Sequence, residues 1–230
     1  MAEDVHVKLR KSLTEAVGAA TLLLVVIGSG VMATNISDDV GVQLAINSAA
    51  TGLILYILIT LLGPISGAHF NPVVTVIELF KKNISATLAA AYLLAQIVGA
   101  VIGVALANLI FKLPIIEISQ KDRTGAELFV SEILATAGLV FIIFTAIAQK
   151  SEAKIPVLVG AYISAAYFFT SSTSFANPAV TVARTLSDTF AGIAPSSVLP
   201  FIAAQIIGAA LGLVLSTFLT SQKQNRDVIE

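Results

Sequence analysis

The 230-residue chain is 57% hydrophobic and 12% charged, with a formal net charge of -1 and no cysteine. A charged fraction about half that of soluble domains argues against an ordinary water-soluble fold, and the near-neutral balance leaves no footprint for a nucleic-acid partner. Without cysteine there are no disulfides, no thiolate chemistry and no Cys-ligated metal.

Long apolar runs separated by short polar joints predict a polytopic membrane protein. The first run goes from about Leu13 to Ala33, behind the basic segment VHVKLRK. That order is shared with secretory signals. The run is nevertheless long enough to cross a bilayer at about 1.5 Å per residue. It also has a counterpart later in the chain, so it is read as part of the mature fold. The predicted spans are 13–34, 41–62, 85–111, 126–148, 155–172 and 197–220, joined by NISDDV, KLPIIEISQKDRTG and QKSEAK. Segments 63–84 and 173–195 fit no span. Each has a Gly- or Ser-rich approach, then Asn-Pro, then a short helical stretch. They are too short to cross and too apolar for surface loops. Irregular backbone at membrane depth is tolerated only inside protein or beside a water-filled cavity, so both are predicted to be re-entrant half-helices.

The chain repeats itself. TEAVGAATLLLVV at 14–26 answers SEILATAGLVFII at 131–143; NPVVTV at 71–76 answers NPAVTV at 177–182; AQIVGAVIGVAL at 95–106 answers AQIIGAALGLVL at 204–215. Three landmarks recur in one order. Each half, about 13–111 and 126–220, holds three spans, so the second enters from the opposite side. The fold class expected is therefore an all-α membrane protein of six transmembrane helices and two half-helices, one channel domain built from an inverted three-helix repeat. With six spans both termini share a side. That side takes Lys8, Arg10, Lys11, Lys81, Lys82, Lys150, Lys154, Lys223 and Arg226; the other takes Lys112, Lys121, Arg123 and Arg184. The excess places both termini in the cytoplasm, across a plasma (inner) membrane.

Asn is a favoured N-cap, and Pro suits the first helical position, where its missing N–H costs nothing. Asn71-Pro72-Val73 and Asn177-Pro178-Ala179 thus mark two helix starts. Each carries about half a positive charge and free N–H groups. Facing each other at mid-membrane, they would welcome a neutral hydroxylated molecule and repel a proton or small cation. The approach segments would line the path with backbone carbonyls. A single Asn-Pro pair is only a cap; two at equivalent repeat positions indicate a pore.

SGAHFNPVVT and FANPAVT resemble the two signatures of the aquaporin and aquaglyceroporin (major intrinsic protein) family, and TEAVG and SEILA resemble its paired Glu-bearing helix starts. The resemblance covers nearly the whole chain. It implies a passive channel, one pore per protomer, assembled as a homotetramer in the lipid bilayer, passing water and small neutral solutes. No cofactor, metal or catalytic residue is implied. In that family the third residue after the second Asn is normally Arg, at the outer constriction. Here it is Val180, matched by Val74 in the first half. Carried over by spacing, the other filter positions are Thr51, Ala165 and Ser174; a one-residue gap in SSTSFANP moves the last two to Ser164 and Thr173. Every choice gives small side chains, so the filter is expected to be wide, less cationic and free of bulky rings. NPAVTVARTLSDTFAGI, 177–193, resembles a bacterial subgroup associated with arsenic resistance, which implies arsenite as neutral As(OH)₃, methylated arsenicals and glycerol-like solutes.

Arg184, one turn beyond Val180, has two readings: a vestibule charge paired with Asp188, or a snorkelling helix-end cation. Glu78 holds the same place in the first half. Glu15 and Glu132 lie within spans, where a carboxylate is costly. They are expected to brace the re-entrant loops, with proton relay as the alternative. Gln96 and Gln205 would satisfy backbone nearby. His69 is read as packing within its loop. Gly99, Gly103, Gly208 and Gly212 form G-x-x-x-G pairs for close helix contact. The competing functions are a water-selective channel, which the missing Arg and ring oppose, and an ion-coupled secondary transporter. An enzyme is not expected, since no nucleophile–base set appears.

Overall fold

The computed structural model describes residues 5–224. Eight helices follow in order: α1 Val5–Ile36, α2 Val40–Ser66, α3 Pro72–Phe80, α4 Ala86–Ile110, α5 Ala126–Ala148, α6 Ile155–Phe169, α7 Pro178–Ala183 and α8 Val198–Gln224. Short 3-10 turns sit at Glu152–Lys154, Arg184–Leu186 and Pro195–Ser197. Two long helices, a half-helix and a third long helix make each half. Helices α1, α2, α4, α5 and α8 are each long and apolar enough to cross a membrane. Helix α6 has 15 residues, which rise only about 22 Å. A turn and an irregular segment, residues 170–176, connect it to the second Asn-Pro pair. This is an all-helical, multi-pass membrane architecture of six spanning helices and two half-helices.

The ends of the elements follow from local chemistry. Asp39 caps α2 by accepting from Val42 N at 3.0 Å, and Ser85 caps α4 by accepting from Leu88 N at 3.2 Å. Gly67 closes α2 with a left-handed φ of 91°, a conformation glycine adopts without steric cost. Helix α1 begins two turns before the expected Leu13, because the basic segment ahead of the apolar run continues the helix.

The halves are packed alike. Helix α4 lies on α1 with Gly99 and Gly103 directly over the Ala16 and Ala20 carbonyls, where a β-carbon would collide with backbone. Helix α8 lies on α5 with Gly208 and Gly212 over the Ile133 and Ala137 carbonyls. Helices α2 and α6 join the halves through Gly52 and Gly160, with Ser48 Oγ donating to the Ser164 carbonyl at 2.8 Å. The core between α1, α2 and α4 takes in Phe70, Phe175 and Phe201 from the loops and α8.

Candidate functional site

The two Asn-Pro segments meet. Asn71 and Asn177 have extended backbones, at φ -149° and -159°, and each caps its own half-helix. Asn71 Oδ1 accepts from Val73 N at 3.1 Å; Asn177 Oδ1 accepts from Ala179 N at 3.0 Å and Val180 N at 3.3 Å. The amide nitrogens cross over: Asn71 Nδ2 donates to the Ala176 carbonyl at 2.8 Å, and Asn177 Nδ2 donates to the Phe70 carbonyl at 2.7 Å. One N–H of each amide is thereby committed to the opposite loop, and the start of α3 abuts the start of α7.

The approach backbones are strained in the same pattern. Gly67, Ala68 and Phe70 have φ of 91°, 49° and 47°; Thr173, Ser174 and Ala176 have φ of 62°, 52° and 48°. Left-handed non-glycine residues cost about 1–3 kcal/mol each and persist only where their surroundings fix them. Two buried carboxylates provide that fixing. Glu15 accepts from Ser66 Oγ at 2.7 Å, His69 N at 3.0 Å, Phe70 N at 2.7 Å and Gln96 Nε2 at 2.8 Å. Glu132 accepts from Phe175 N and Ala176 N, both at 2.9 Å, and from Gln205 Nε2 at 2.8 Å. Gln96 also donates to Thr75 Oγ1, and Gln205 to Thr181 Oγ1, each at 2.9 Å. Each carboxylate thus ties a re-entrant loop to a long helix. His69 Nδ1 lies 3.0 Å from Thr75 Oγ1, and its ring meets Tyr92 edge-on at 5.3 Å.

A cavity of about 710 Å³ runs past this junction. Its lining mirrors the repeat: Ala68, His69, Phe70, Asn71, Val74 and Glu78 from the first half, Ser174, Phe175, Ala176, Asn177, Val180 and Arg184 from the second. Glu152, Thr51 and Tyr167 also line it. Pro72, Val73, Pro178 and Ala179 stand behind the lining and set the two helix starts. Among the described residues, no group of three His, Asp or Glu side chains gathers to hold a metal.

Of the positions carried over by spacing, Thr51, Ser174 and Val180 line the cavity. Ala165 does not: it is exposed on the outside of α6. Ser164 is turned against α2, where its Oγ donates to the Ser48 carbonyl at 3.3 Å. Helix α6 instead presents Val159, Ile163 and Tyr167, a stripe at i, i+4 and i+8; Ala165 points about 200° away from it. Tyr167 OH lies 3.1 Å from Thr51 Oγ1. The expected absence of bulky rings is therefore corrected, since Tyr167 and Phe175 both face the cavity.

Arg184 lines the cavity, but neither the Asp188 pairing nor the snorkelling reading holds. Helix α7 ends at Ala183, and Arg184 opens a 3-10 turn, so no further helical turn brings Asp188 beneath it. Asp188 Oδ1 accepts from Gln120 N at 3.0 Å and Ser119 Oγ at 3.2 Å. Arg184 is only 2% exposed, which rules out snorkelling. Its Nε donates to the Ala191 carbonyl, and its guanidinium carbon sits 3.5 Å from the Phe175 ring centroid. Arg123 approaches the same ring at 5.0 Å, donating from Nε to the Gly192 carbonyl at 2.8 Å.

The description of the major intrinsic protein family matches residues 2–174. Aquaglyceroporin AqpS of Rhizobium meliloti is 46% identical over 210 residues, which cover 91% of this chain and 90% of that protein. The chain belongs to the major intrinsic protein family. Aquaporin-2 of Rattus norvegicus is 35% identical over 137 residues, 57% of this chain and 49% of its own length. The X-ray structure of the aquaglyceroporin from Plasmodium falciparum superposes with a TM-score of 0.69 at 18% identity, over 93% of this chain and 96% of that one; at that identity the likeness speaks for the fold alone. The family match stops at Ser174, short of the second Asn-Pro pair. That is where this major intrinsic protein carries Val180 and Arg184. Spacing arguments missed Tyr167, Phe175 and Arg123. The sequence offers no signal for any of the three: α6 is apolar nearly all round, and the contacts of Phe175 and Arg123 form across distant loops.

Proposed function

We propose that this protein is a passive channel for small uncharged solutes. Water and glycerol-like polyols are its base class, and neutral metalloid hydroxides, arsenite as As(OH)₃ and methylated arsenicals among them, are its finer one. The observation that carries the reading is the cavity passing between two abutting half-helix starts. Each start brings roughly half a positive charge and an Asn amide to a water-poor site. A neutral solute exchanges its water hydrogen bonds for these donors and for loop carbonyls. A cation meets repulsion there and loses its hydration. The finer class rests on Val180, which leaves no guanidinium at the third position after Asn177, and on the likeness of 177–193 to the arsenic-associated subgroup. Both termini are assigned to the cytoplasm, the membrane is a plasma (inner) membrane, the repeat runs over 13–111 and 126–220, and the assembly is a homotetramer with a pore in each protomer.

The water-selective reading gains one observation: Tyr167 and Arg184 return a ring and a guanidinium to the lining. Uptake of water, glycerol and arsenite into proteoliposomes separates the two. Glycerol and arsenite uptake that is linear in concentration and indifferent to an imposed proton gradient is expected. Water uptake alone would select the narrower channel, and saturable uptake driven by the gradient would select a coupled transporter. Val180→Arg should narrow the passage and cut arsenite flux more than water flux, by about tenfold or more if it closes the path to larger solutes. Equal arsenite flux in the variant removes Val180 from the selectivity argument.

A further inference from the structure

We propose that Arg184, and not the residue at position 180, supplies the fixed positive charge that screens solutes in this pore, with the Phe175 ring as its backing plate. The inference deepens the channel reading and rests on it.

Arg184 is almost wholly buried in protein and yet lines the cavity. Of a guanidinium's five N–H donors, Nε is committed to the Ala191 carbonyl. One face lies on the Phe175 ring, 3.5 Å from its centroid. A guanidinium fixed by one edge bond and one stacked face keeps its other edge directed away from both, toward the lumen it lines. The carboxylate closest in sequence, Asp188, is occupied by Gln120 N and Ser119 Oγ, which leaves the Arg184 charge uncompensated by it. Arg123 supports the arrangement: it shares the Phe175 ring at 5.0 Å and ties the Gly192 carbonyl, one residue beyond the Ala191 carbonyl that holds Arg184.

The repeat sharpens the point. Val74 and Val180 occupy equivalent lining positions and are both uncharged, whereas Glu78 and Arg184 occupy the next pair of equivalent positions with opposite charges. Glu78, Glu152 and Arg184 are charged lining residues. Glu78 and Arg184 stand about two turns away from the junction, on half-helices whose starts abut, so they lie on opposite sides of it. A cation coming from the Arg184 end meets a like charge held in a low-dielectric wall. A neutral solute rich in oxygen meets N–H donors from Arg184 and the Thr51–Tyr167 hydroxyl pair. Shifting the guanidinium one turn from position 180 keeps the charge while leaving the space at Val180 open. A wide pore can then still be tight to ions.

The full chain and its Arg184→Gln and Arg184→Lys variants, reconstituted in proteoliposomes, test this by sodium and proton leak under an imposed potential, with glycerol uptake read on the same vesicles. The wild type should pass glycerol and hold sodium. Arg184→Gln, which can still donate to the Ala191 carbonyl, should raise the cation leak by about tenfold or more, the scale on which a focused charge alters local ion concentration. It should retain glycerol uptake. Folding of both variants is read separately, by their unfolding midpoints in detergent against the wild type, so that a rise in leak is scored only on folded channel. Arg184→Lys should stay close to the wild type. Leak unchanged in Arg184→Gln, or raised equally in both variants, overturns the proposal. Loss of glycerol uptake in both, with no rise in leak, overturns it too, because it makes the residue a structural support only. A wild type that passes neither water nor glycerol defeats the channel reading itself.

Discussion

Glu132 shows why a carboxylate stands in the middle of an apolar span. The loop 173–176 must turn its carbonyls outward in order to line a path, and it does so by taking left-handed φ at Thr173, Ser174 and Ala176. That geometry leaves the N–H groups of Phe175 and Ala176 pointing inward, with no helix partner. Glu132 receives both at 2.9 Å. Replacing it with alanine would strand two buried donors at about 1–3 kcal/mol each, so Glu132→Ala should lose about 2–6 kcal/mol of stability. Glu132→Gln, which keeps one acceptor oxygen, should lose clearly less. Thermal unfolding in detergent reads the difference. If the two variants melt together with the wild type, the carboxylate is not what holds the loop. A proton-relay role predicts the reverse ordering of effects, with transport sensitive to both variants and stability to neither. Thr173 adds a smaller residue-scale point: a β-branched side chain at φ 62° occupies the place that Gly67 fills in the first half, so strain has been accepted there in the second half.

At the scale of elements, what could be read from sequence depended on whether the cause was local. The two half-helices were legible because Asn-Pro specifies a helix start by a mechanism confined to three or four residues. The long spans were legible from length and apolarity. The facing of α6 was not: IPVLVGAYISAAYFF is apolar nearly all round, so no polar stripe tells which side meets the cavity, and counting back from Asn177 gave Ala165 where α6 presents Ile163 and Tyr167. The early end of α7 was equally hidden, since the six-residue helix stops where the Arg184 side chain is captured by Phe175 and Ala191, far outside the local pattern. Helix pairing was legible through G-x-x-x-G. Gly103 and Gly212 each press on a backbone carbonyl of the neighbouring helix, a contact with no flexible side chain to give way. Gly103→Leu should therefore force α4 off α1 at an overpacking cost of about 1–3 kcal/mol or more, visible as reduced folded yield and a lower unfolding midpoint. Leu106→Ile, on the exposed side of the same helix, should stay within about 0.5 kcal/mol. Equal effects from the two would show that the close crossing is not what binds the pair.

The molecule as a whole is joined at both levels of the cavity. At its centre, Asn71 and Asn177 exchange hydrogen bonds between the halves. At the Arg184 end, the connection between α4 and α5 is laced onto the segment after α7: Ser119 N donates to the Thr185 carbonyl at 2.9 Å, Glu117 N to the Leu186 carbonyl at 3.1 Å, and Ala194 N to the Lys121 carbonyl at 2.7 Å. Lys121 is the charged centre of that lacing. Its Nζ donates to the Phe190 carbonyl at 2.6 Å and stands 4.8 Å over the Phe190 ring. Burial, and then the charges of Arg123 and Arg184 against the weaker opposing pull of Asp188, push its ammonium down to about 8 from 10.5. The folded chain thus gives up this proton more readily than the unfolded chain does. Below about pH 8 both states hold the proton, and the fold bears the full cost of a crowded cation. Between about 8 and 10.5 the unfolded chain binds more protons, so the contribution of Lys121 to stability rises with pH across that window. Lys121→Met keeps an apolar stem over Phe190 and removes the titration. The unfolding midpoint of the wild type should therefore gain on that of Lys121→Met as pH climbs from about 7 to about 10. A difference that stays constant, or shrinks, would mean that the ammonium is as comfortable in the fold as in water, and that the lacing owes its strength to the backbone bonds alone.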